Sequence, residues 1–215
     1  MQTAIIQKLQ DYIKTRSPVR TYAKGQVITL AGQDPRGVAF LESGVVEQYD
    51  ITSDGNKITV NVFKPPAFFP MSWAINKTPN AYFFEALDEC KIRWADPDET
   101  VNFLKENPDV LLDLLGRVYK GTDGLLRRLV LAASGAATQR LMYELLLEAY
   151  RFGVPAGDHS RRVRVRQHAL AARTGLTRET VSRELHRLLD DGIVMRSPQG
   201  MIINIPVIEA RLNDS

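Results

Sequence analysis

The chain has 215 residues, of which 44% are apolar and 25% are charged, a composition typical of globular proteins and unlike that of disordered or fibrous chains. Its single cysteine, Cys90, excludes an internal disulfide and any four-thiolate zinc or iron-sulfur site built from one chain. No stretch approaches the roughly 18 apolar residues of a membrane span, and the start, MQTAIIQKLQDYIK, lacks the apolar run of a signal peptide, so we expect a cytoplasmic protein.

The net charge of +3 is distributed unevenly along the chain. Residues 1–134 contain sixteen Lys and Arg against sixteen Asp and Glu, whereas residues 135–215 contain twelve against nine. Within residues 158–187, eight arginines are accompanied by three acidic residues, which gives a local charge of +5. This concentration favours a polyanionic partner, and the alternative is a solvated charged surface.

Residues 20–95 are predicted to form short antiparallel strands, because turn signals recur throughout the segment. The signals are Lys24-Gly25, Gly32 to Pro35, Ser43-Gly44, Ser53 to Gly55 and Lys64 to Pro66. Their spacing predicts a small antiparallel barrel or sandwich. The clearest hairpin is ITSDGNKITVNVF, in which Asp54 and Gly55 are expected to supply the positive-φ turn residues.

A long helix is predicted after the strands, over residues 107–134. Apolar or small residues recur there with alternating gaps of four and three, at Leu111, Leu115, Val118, Thr122, Leu125, Leu129 and Ala132. Because this spacing forms a heptad seam, it predicts a homodimer held by a second copy of the helix. The alternative is that the seam packs against the chain's own barrel.

The remaining residues are predicted to form a winged helix-turn-helix. A helix over Thr138 to Phe152 and a strand at 163–165 precede two helices within RQHALAARTGLTRETVSRELHRLLDD, joined by a short turn that contains Gly175. The tail GIVMRSPQGMIINIP is predicted to form a hairpin around Ser197 to Gly200. The second helix of such a motif enters the major groove of DNA.

This second helix is predicted to have one buried and one exposed face. Thr177 is a good N-cap, and the buried stripe comprises Val181, Leu185, Leu188 and Leu189. The residues left to point outward are Arg178, Glu179, Ser182, Arg183 and His186. Since arginine can bond a guanine edge and glutamate can accept from the cytosine amino group, Glu179 and Arg183 can read adjacent base pairs. The candidates for phosphate contacts are Arg161, Arg162, Arg164, Arg166 and Gln167.

The chain resembles the family of the cyclic-AMP receptor protein and the fumarate-nitrate reduction regulator (Crp/Fnr). The resemblance lies in GLTRETVSRELHRLLDDGIV, in the heptad helix followed by Arg140-Leu141, and in KGQVITLAGQDPRGVAFLESGVVEQYDITSDG. It implies an α+β fold with three parts. These are a sensor domain over 1–106, with an N-terminal helix and a cyclic-nucleotide-binding-like antiparallel β-barrel (jelly roll), a dimerisation helix over 107–134, and a winged helix-turn-helix over 135–215.

The resemblance also implies a function. The family's recognition helix carries a Glu-x-x-x-Arg core, matched by Glu179 and Arg183, while Arg178 resembles cyclic-AMP receptors and Ser182 resembles fumarate-nitrate regulators. A homodimeric transcription regulator follows, which reads a palindrome with TGA-containing half-sites in double-stranded DNA and has RNA polymerase as a partner. The implied DNA-binding residues are Arg166, Gln167, Thr177, Arg178, Glu179, Ser182 and Arg183.

Relatives that bind cyclic nucleotides carry Gly-Glu and, about ten residues later, Arg-Ser or Arg-Thr, whose arginine neutralises the phosphate. Pro70-Met71 and Asn80-Ala81 stand at these places, and Leu125-Leu126 stand where cyclic-AMP receptors carry hydroxyls. Because an uncompensated buried charge costs several kcal/mol, we expect the effector not to be a cyclic nucleotide.

Aromatic and apolar residues between 68 and 84 fill this region instead, and we interpret them as core that closes the pocket. The alternative is an apolar small-molecule effector or a hydrophobically held cofactor, for which the candidate pocket is Phe69, Met71, Trp73, Tyr82, Phe84 and Leu125. No cofactor is assigned. Haem would need Cys90 or Met71 as axial ligand, since the three histidines lie outside the barrel, and no metal site is expected for the same reason.

Cys90 alternates with Ala86, Ile92 and Trp94, which predicts an inward, inert thiol whose pKa is raised by Glu89.

Other functions remain as alternatives. They are a constitutive DNA-binding dimer with a vestigial barrel, a haem or redox-sensing regulator, and a barrel enzyme with an accessory DNA-binding domain. No catalytic constellation supports an enzyme, and the sequence does not separate an activator from a repressor.

Overall fold

The computed structural model describes residues 2–15, 17–134 and 136–213. The chain divides into two compact units, of which the first ends at Gly121 and the second begins at Thr122. The division falls inside one long helix, Pro108–Ser134. Within the described ranges, no helix is both long and apolar enough to cross a membrane.

The described part of the first unit is an antiparallel β-structure flanked by helices. Its elements in chain order are α1 (Gln2–Lys14), β1 (Val19–Tyr22), β2 (Val27–Thr29), β3 (Val38–Ser43), β4 (Val46–Ile51), β5 (Lys57–Phe63), β6 (Ala67–Phe69), α2 (Met71–Asn76), β7 (Phe83–Ala86), β8 (Cys90–Ala95), α3 (Pro97–Glu106) and the start of α4 (Pro108–Ser134).

The eight described strands form two four-stranded sheets, ordered β1-β8-β3-β6 and β2-β7-β4-β5. This order is that of a double-sheet jelly roll, which confirms the predicted fold class. In the described part of the chain the two sheets are not closed into a barrel, so the sandwich form of the predicted barrel or sandwich is the one present. Among the described residues, each sheet ends at its own edge strands, and no strand of one sheet pairs with a strand of the other. Two such layers pack through their side chains, at a typical separation of about 10 Å.

The predicted hairpin is present as β4 and β5, which pair from Val46 with Phe63 to Ile51 with Lys57. In its turn Gly55 has a φ of +79° and donates its N–H to the Thr52 carbonyl. Asp54 does not share the positive φ. One left-handed residue is enough to close this loop, and glycine adopts that conformation without a Cβ clash.

Two hydrophobic clusters hold the first unit together. Between the sheets, Leu41, Val46 and Ile92 surround the stacked rings of Phe69 and Phe84, whose centroids are 4.9 Å apart. The second cluster packs helices against the jelly roll through Leu9, Ile13, Phe40, Leu104 and Val110. The position of α3 is defined locally, because the Asp96 carboxylate caps it by accepting the N–H groups of Asp98 and Glu99.

The second unit, as far as it is described, contains the end of α4 and the winged helix-turn-helix. Its further elements are α5 (Ala137–Phe152), β9 (Val154–Pro155), β10 (Ser160–Val163), α6 (Gln167–Thr174), α7 (Arg178–Asp190), β11 (Val194–Ser197), β12 (Gly200–Asn204) and α8 (Ile205–Asn213). The strands are ordered β11-β12-β10-β9. Helices α6 and α7 and the hairpin β11-β12 confirm the prediction.

Two details of this unit differ from the sequence expectation. The strand predicted at 163–165 lies at Ser160–Val163, because β10 pairs residue by residue with Met201 to Asn204 of β12. Helix α8 was not predicted, and it buries Ile208 and Leu212 in the core. The turn between α6 and α7 is as expected, since Gly175 ends α6 with a φ of +67°, the left-handed conformation that glycine favours.

Candidate functional site

Helix α7 is held in place by its cap and its buried face. The Thr177 hydroxyl oxygen accepts the N–H of Thr180 at 3.2 Å, which satisfies one of the donors that a helix start leaves unpaired. Val181, Leu185 and Leu188 are buried in the core of the unit. The predicted buried stripe is therefore present, with Leu189 packed at its margin.

The opposite face of α7 presents polar and charged groups to solvent. Arg178, Glu179, Arg183 and His186 are exposed, and Ser182 is half-buried. Glu179 and Arg183 are four residues apart, so they are neighbours on one side of the helix. The structure thus brings the predicted base-reading pair together on an exposed surface.

The Glu179 carboxylate is stabilised in its charged form. Its own backbone N–H and the Thr177 hydroxyl donate to it, and Arg178 lies near, so the pKa of Glu179 is held below its ordinary value. An ionised carboxylate is an acceptor only, the state needed to accept from a cytosine amino group.

Arg183 is largely exposed, and a neighbouring acid orients it. The Arg183 Nε atom donates to Glu184 at 3.2 Å, while 70% of the Arg183 side chain remains exposed. Glu184 is buried, and its second oxygen accepts from the Thr138 hydroxyl at 2.6 Å, which holds the pKa of Glu184 low. This contact uses neither terminal nitrogen of Arg183, so both can form the bidentate bond that guanine accepts.

The arginines proposed for phosphate contacts differ in their surroundings. Arg161 donates to the Gly153 carbonyl at 3.2 Å, and Arg164 donates to the Gln199 carbonyl at 2.8 Å. Arg166 is the exposed N-cap residue of α6, and Gln167 begins that helix half-buried. Arg161 and Arg164 therefore tie together parts of their own unit, whereas Arg166 projects from the start of the motif.

The first helix of the motif is attached to α5 by a buried ion pair. Arg173 of α6 binds Glu148 of α5, and the two side chains are only 10% and 6% exposed. A second pair joins Arg128 of α4 to Glu144 of α5. Sequence reasoning missed both pairs, because each joins residues far apart in the chain and no local spacing signals them.

The residues of the candidate effector pocket lie in different environments. Phe69, Phe84 and Tyr82 belong to the core between the sheets. Met71 packs in the cluster with α1 and α3, and Trp73 donates its indole N–H to Asp34 at 3.3 Å. Leu125 belongs to the second unit and is 46% exposed.

Asn80 stands where cyclic-nucleotide binders of the family carry an arginine. It is buried, and its amide nitrogen donates to the carbonyls of Leu30 at 3.0 Å and Tyr82 at 2.8 Å. These bonds join two loops of the jelly roll. The side chain is neutral and engaged with backbone, so it supplies no charge to a phosphate.

The Cys90 thiol is buried and donates to the Val45 carbonyl at 3.3 Å. Burial and then the Asp88 carboxylate raise its pKa to about 11. The direction agrees with the sequence expectation, but the neighbouring acid is Asp88 and not Glu89, because Asp88 turns back toward the thiol. Among the residues that the structure describes, no group of three or more His, Cys, Asp or Glu side chains could hold a metal ion.

The heptad seam of α4 faces solvent in the single chain. Leu115, Leu125 and Leu129 are 44%, 46% and 66% exposed. Beside the seam, Leu112 and Tyr119 are exposed as well. So large an apolar face on one helix marks an interaction surface.

Two family models match the chain. The model of the cyclic nucleotide-binding domain matches residues 19–107, and that of the Crp-like helix-turn-helix domain matches residues 139–210. A curated relative, the cyclic AMP receptor protein of Thermus thermophilus, is 26% identical over 182 residues, which cover 83% of this chain and 80% of the relative.

Solved structures share the fold. FixK2 from Bradyrhizobium japonicum superposes with a TM-score of 0.73 at 20% identity, covering 90% of this chain and 96% of that one. The c-di-GMP responsive regulator CLP of Xanthomonas campestris has a TM-score of 0.76 at 17% identity, with 91% and 97% covered. A CRP/FNR family regulator from Thermus thermophilus has a TM-score of 0.70 at 21% identity, with 91% and 98% covered.

Both halves of the architecture are thus accounted for, the jelly roll by one family model and the helix-turn-helix by the other, and the curated relative spans them. The chain belongs to the Crp/Fnr family of DNA-binding transcriptional regulators.

Proposed function

We propose that this regulator is a homodimer that reads a palindromic operator with TGA-containing half-sites and whose effector is not a cyclic nucleotide. The observation that carries the proposal is the exposed pair Glu179 and Arg183, one turn apart at the start of a capped helix. The ionised Glu179 accepts from a cytosine amino group, and Arg183 bonds a guanine edge. Together they distinguish two adjacent base pairs.

The other residues of the surface serve position and affinity in this proposal. Arg178 contacts a flanking guanine or a phosphate. Thr177, Ser182, Arg166 and Gln167 contact the backbone, since hydroxyls, amides, exposed arginines and helix starts are the usual phosphate ligands. These contacts set how tightly the protein binds and leave sequence preference to the base-reading pair.

The proposed dimer forms along α4. Its seam comprises Leu111, Leu115, Val118, Thr122, Leu125 and Leu129. The exposure of the leucines in the single chain supports a second copy as the partner and speaks against the alternative that the seam packs on the chain's own jelly roll. Twofold symmetry then places two recognition helices about 34 Å apart, in successive major grooves.

The proposal for the effector rests on the jelly-roll interior. Asn80 offers no cation for a cyclic phosphate, and its amide is engaged with two carbonyls. If an effector binds within the jelly roll, Phe69, Met71, Trp73, Tyr82 and Phe84 offer it apolar and aromatic side chains. The stacked rings of Phe69 and Phe84 are buried and fill this same region. This filling favours a second candidate function, a constitutive DNA-binding dimer with a vestigial barrel.

RNA polymerase is the proposed protein partner at promoters.

A selection from randomised duplex DNA tests the proposal. The purified full chain is expected to enrich twofold-symmetric sequences with TGA half-sites, and Glu179→Gln is expected to lose the preference at one base pair of the half-site while still enriching palindromes. Adding cyclic AMP should change neither result. Enrichment of sequences without TGA would overturn the base-reading assignment, and enrichment of single half-sites would overturn the dimer.

A further inference from the structure

A histidine of the recognition helix contacts the wing, which is the hairpin β11-β12. His186 lies seven residues after Glu179 on the exposed face of α7. Its Nδ1 atom is 2.7 Å from the Ser182 carbonyl oxygen, and its Nε2 atom is 3.4 Å from a terminal nitrogen of Arg196 in β11. Both His186 and Arg196 are exposed.

These partners fit one tautomer of the imidazole. A carbonyl oxygen can only accept, so Nδ1 carries the hydrogen and donates to Ser182. A guanidinium can only donate, so Nε2 presents its lone pair to Arg196. The contact therefore belongs to the neutral Nδ1–H form of His186, in which the ring is a bridge from the helix backbone to the wing cation.

The strand geometry explains why Arg196 reaches the helix. Successive side chains of a strand alternate, so Arg196 lies on the same side of β11 as Val194, which is buried in the core beside α7. The strand follows α7 after the short turn 191–193, whose Gly192 has a φ of +68°. The guanidinium consequently lies beside the DNA-reading face without belonging to it.

We propose that His186 is a positioning residue that holds Arg196 against the recognition helix, where the guanidinium contacts a DNA phosphate at the edge of the groove that α7 enters. The inference rests on the proposed function, because it needs α7 in the major groove. An arginine held in place loses less conformational freedom when it binds, so the contact strengthens DNA binding at every sequence alike.

A double-mutant cycle on the full chain tests this, with affinity for a TGA palindrome measured over a salt series. Arg196→Ala is expected to weaken binding about threefold to fivefold, the usual scale for one exposed charge pair, and to lower the salt slope by about one. His186→Leu should weaken wild-type binding by a similar factor but have no further effect when Arg196 is already alanine. His186→Gln should restore most of the loss, because its amide oxygen takes the place of Nε2 as acceptor.

Additive losses in the double variant, or a glutamine variant as weak as leucine, would overturn the coupling. Both positions are exposed, and circular dichroism of each variant confirms that α7 remains folded. The experiment distinguishes a failure of the proposed function from a failure of the role of His186. If wild type shows no preference for the palindrome, the proposed function fails, whereas a palindrome preference with additive variants removes only the role of His186.

Discussion

Arg183 and Arg166 are proposed to bind DNA in two different ways. Arg183 stands on the exposed face of α7 with both terminal nitrogens available for a base edge, while Arg166 is exposed at the N-cap position of α6 and its side chain makes no capping hydrogen bond. We expect Arg183→Ala to cost about 1–3 kcal/mol on the preferred operator and to relax one base position. Arg166→Ala should instead weaken all sequences equally and flatten the salt dependence by about one unit of slope.

A fluorescence anisotropy titration against operators with single base-pair changes measures both effects. The two variants serve as controls for each other, since each removes one guanidinium from the same unit. If both changed affinity by the same factor at every operator, the division between base reading and phosphate binding would be wrong.

The Cys90 thiol is predicted to be unreactive in the folded chain. Its pKa of about 11 means that almost no thiolate exists near pH 8, and the side chain is buried. A disulfide reagent should therefore label Cys90 quickly only in denaturant, with unfolded chain as the reference rate. Rapid labelling of the native protein would restore the redox-sensing alternative.

The Cys90 thiol should also make the unfolding free energy of the chain depend on pH. Its pKa is higher in the folded chain than the ordinary 9.0, so the unfolded chain loses this proton first as pH rises. Stability should fall as pH increases from about 9 towards 11, and Cys90→Ala should remove that part of the slope in urea titrations. An unchanged slope in the variant would show that other groups cause it.

At the scale of elements, the attachment of α6 to α5 depends on a buried ion pair. Replacing Arg173 with leucine leaves the Glu148 carboxylate buried without its partner, which should cost about 3–5 kcal/mol of unfolding free energy. Changing both residues to leucine should recover much of that loss. Lys8→Ala, which breaks the exposed pair with Asp109, should cost far less, because solvent screens that pair.

Chemical denaturation followed by circular dichroism measures these differences. A loss in Arg173→Leu as small as that in Lys8→Ala would mean that the Arg173 pair does not hold the helix-turn-helix together.

The proposed dimer interface is tested by placing a charge in the seam of α4. Leu115→Glu would bury a carboxylate twice in a twofold interface, so we expect it to convert the dimer into a monomer. Lys120→Glu, on the exposed far side of the same helix, should leave the dimer intact. Light scattering coupled to gel filtration distinguishes the two masses, and a dimer of Leu115→Glu would contradict the assignment of the seam.

Some elements could be predicted from the sequence alone, and others could not. Helix α7 was predictable, because its cap, its apolar spacing and the glycine before it are all local signals. The position of β10 was not, since its register depends on β12, which lies beyond α6, α7 and β11 in the chain. The Thr138–Glu184 and His186–Arg196 contacts likewise join separate elements. Distinguishing two sheets from a closed barrel required knowing which strands lie at the edges.

For the whole molecule, we expect that cyclic nucleotides do not act as effectors. The side chain of Asn80 is buried, carries no positive charge and donates to backbone carbonyls, so it offers a cyclic phosphate no cation. Cyclic AMP and cyclic GMP at millimolar concentration should therefore leave the melting temperature unchanged, because a ligand raises stability only by binding the folded state. A clear upward shift with either nucleotide would contradict this part of the account.

Specific operator binding by the proposed dimer tests directly whether Glu179 and Arg183 read DNA bases. Anisotropy titrations would compare a twofold TGA palindrome with a scrambled duplex of the same composition, at one physiological salt concentration. We expect two chains to bind each palindromic duplex. The palindrome should bind at least about a thousandfold more tightly than the scrambled duplex, which is the usual margin of specific over non-specific binding. Equal affinity for the two duplexes would contradict the claim that Glu179 and Arg183 read bases.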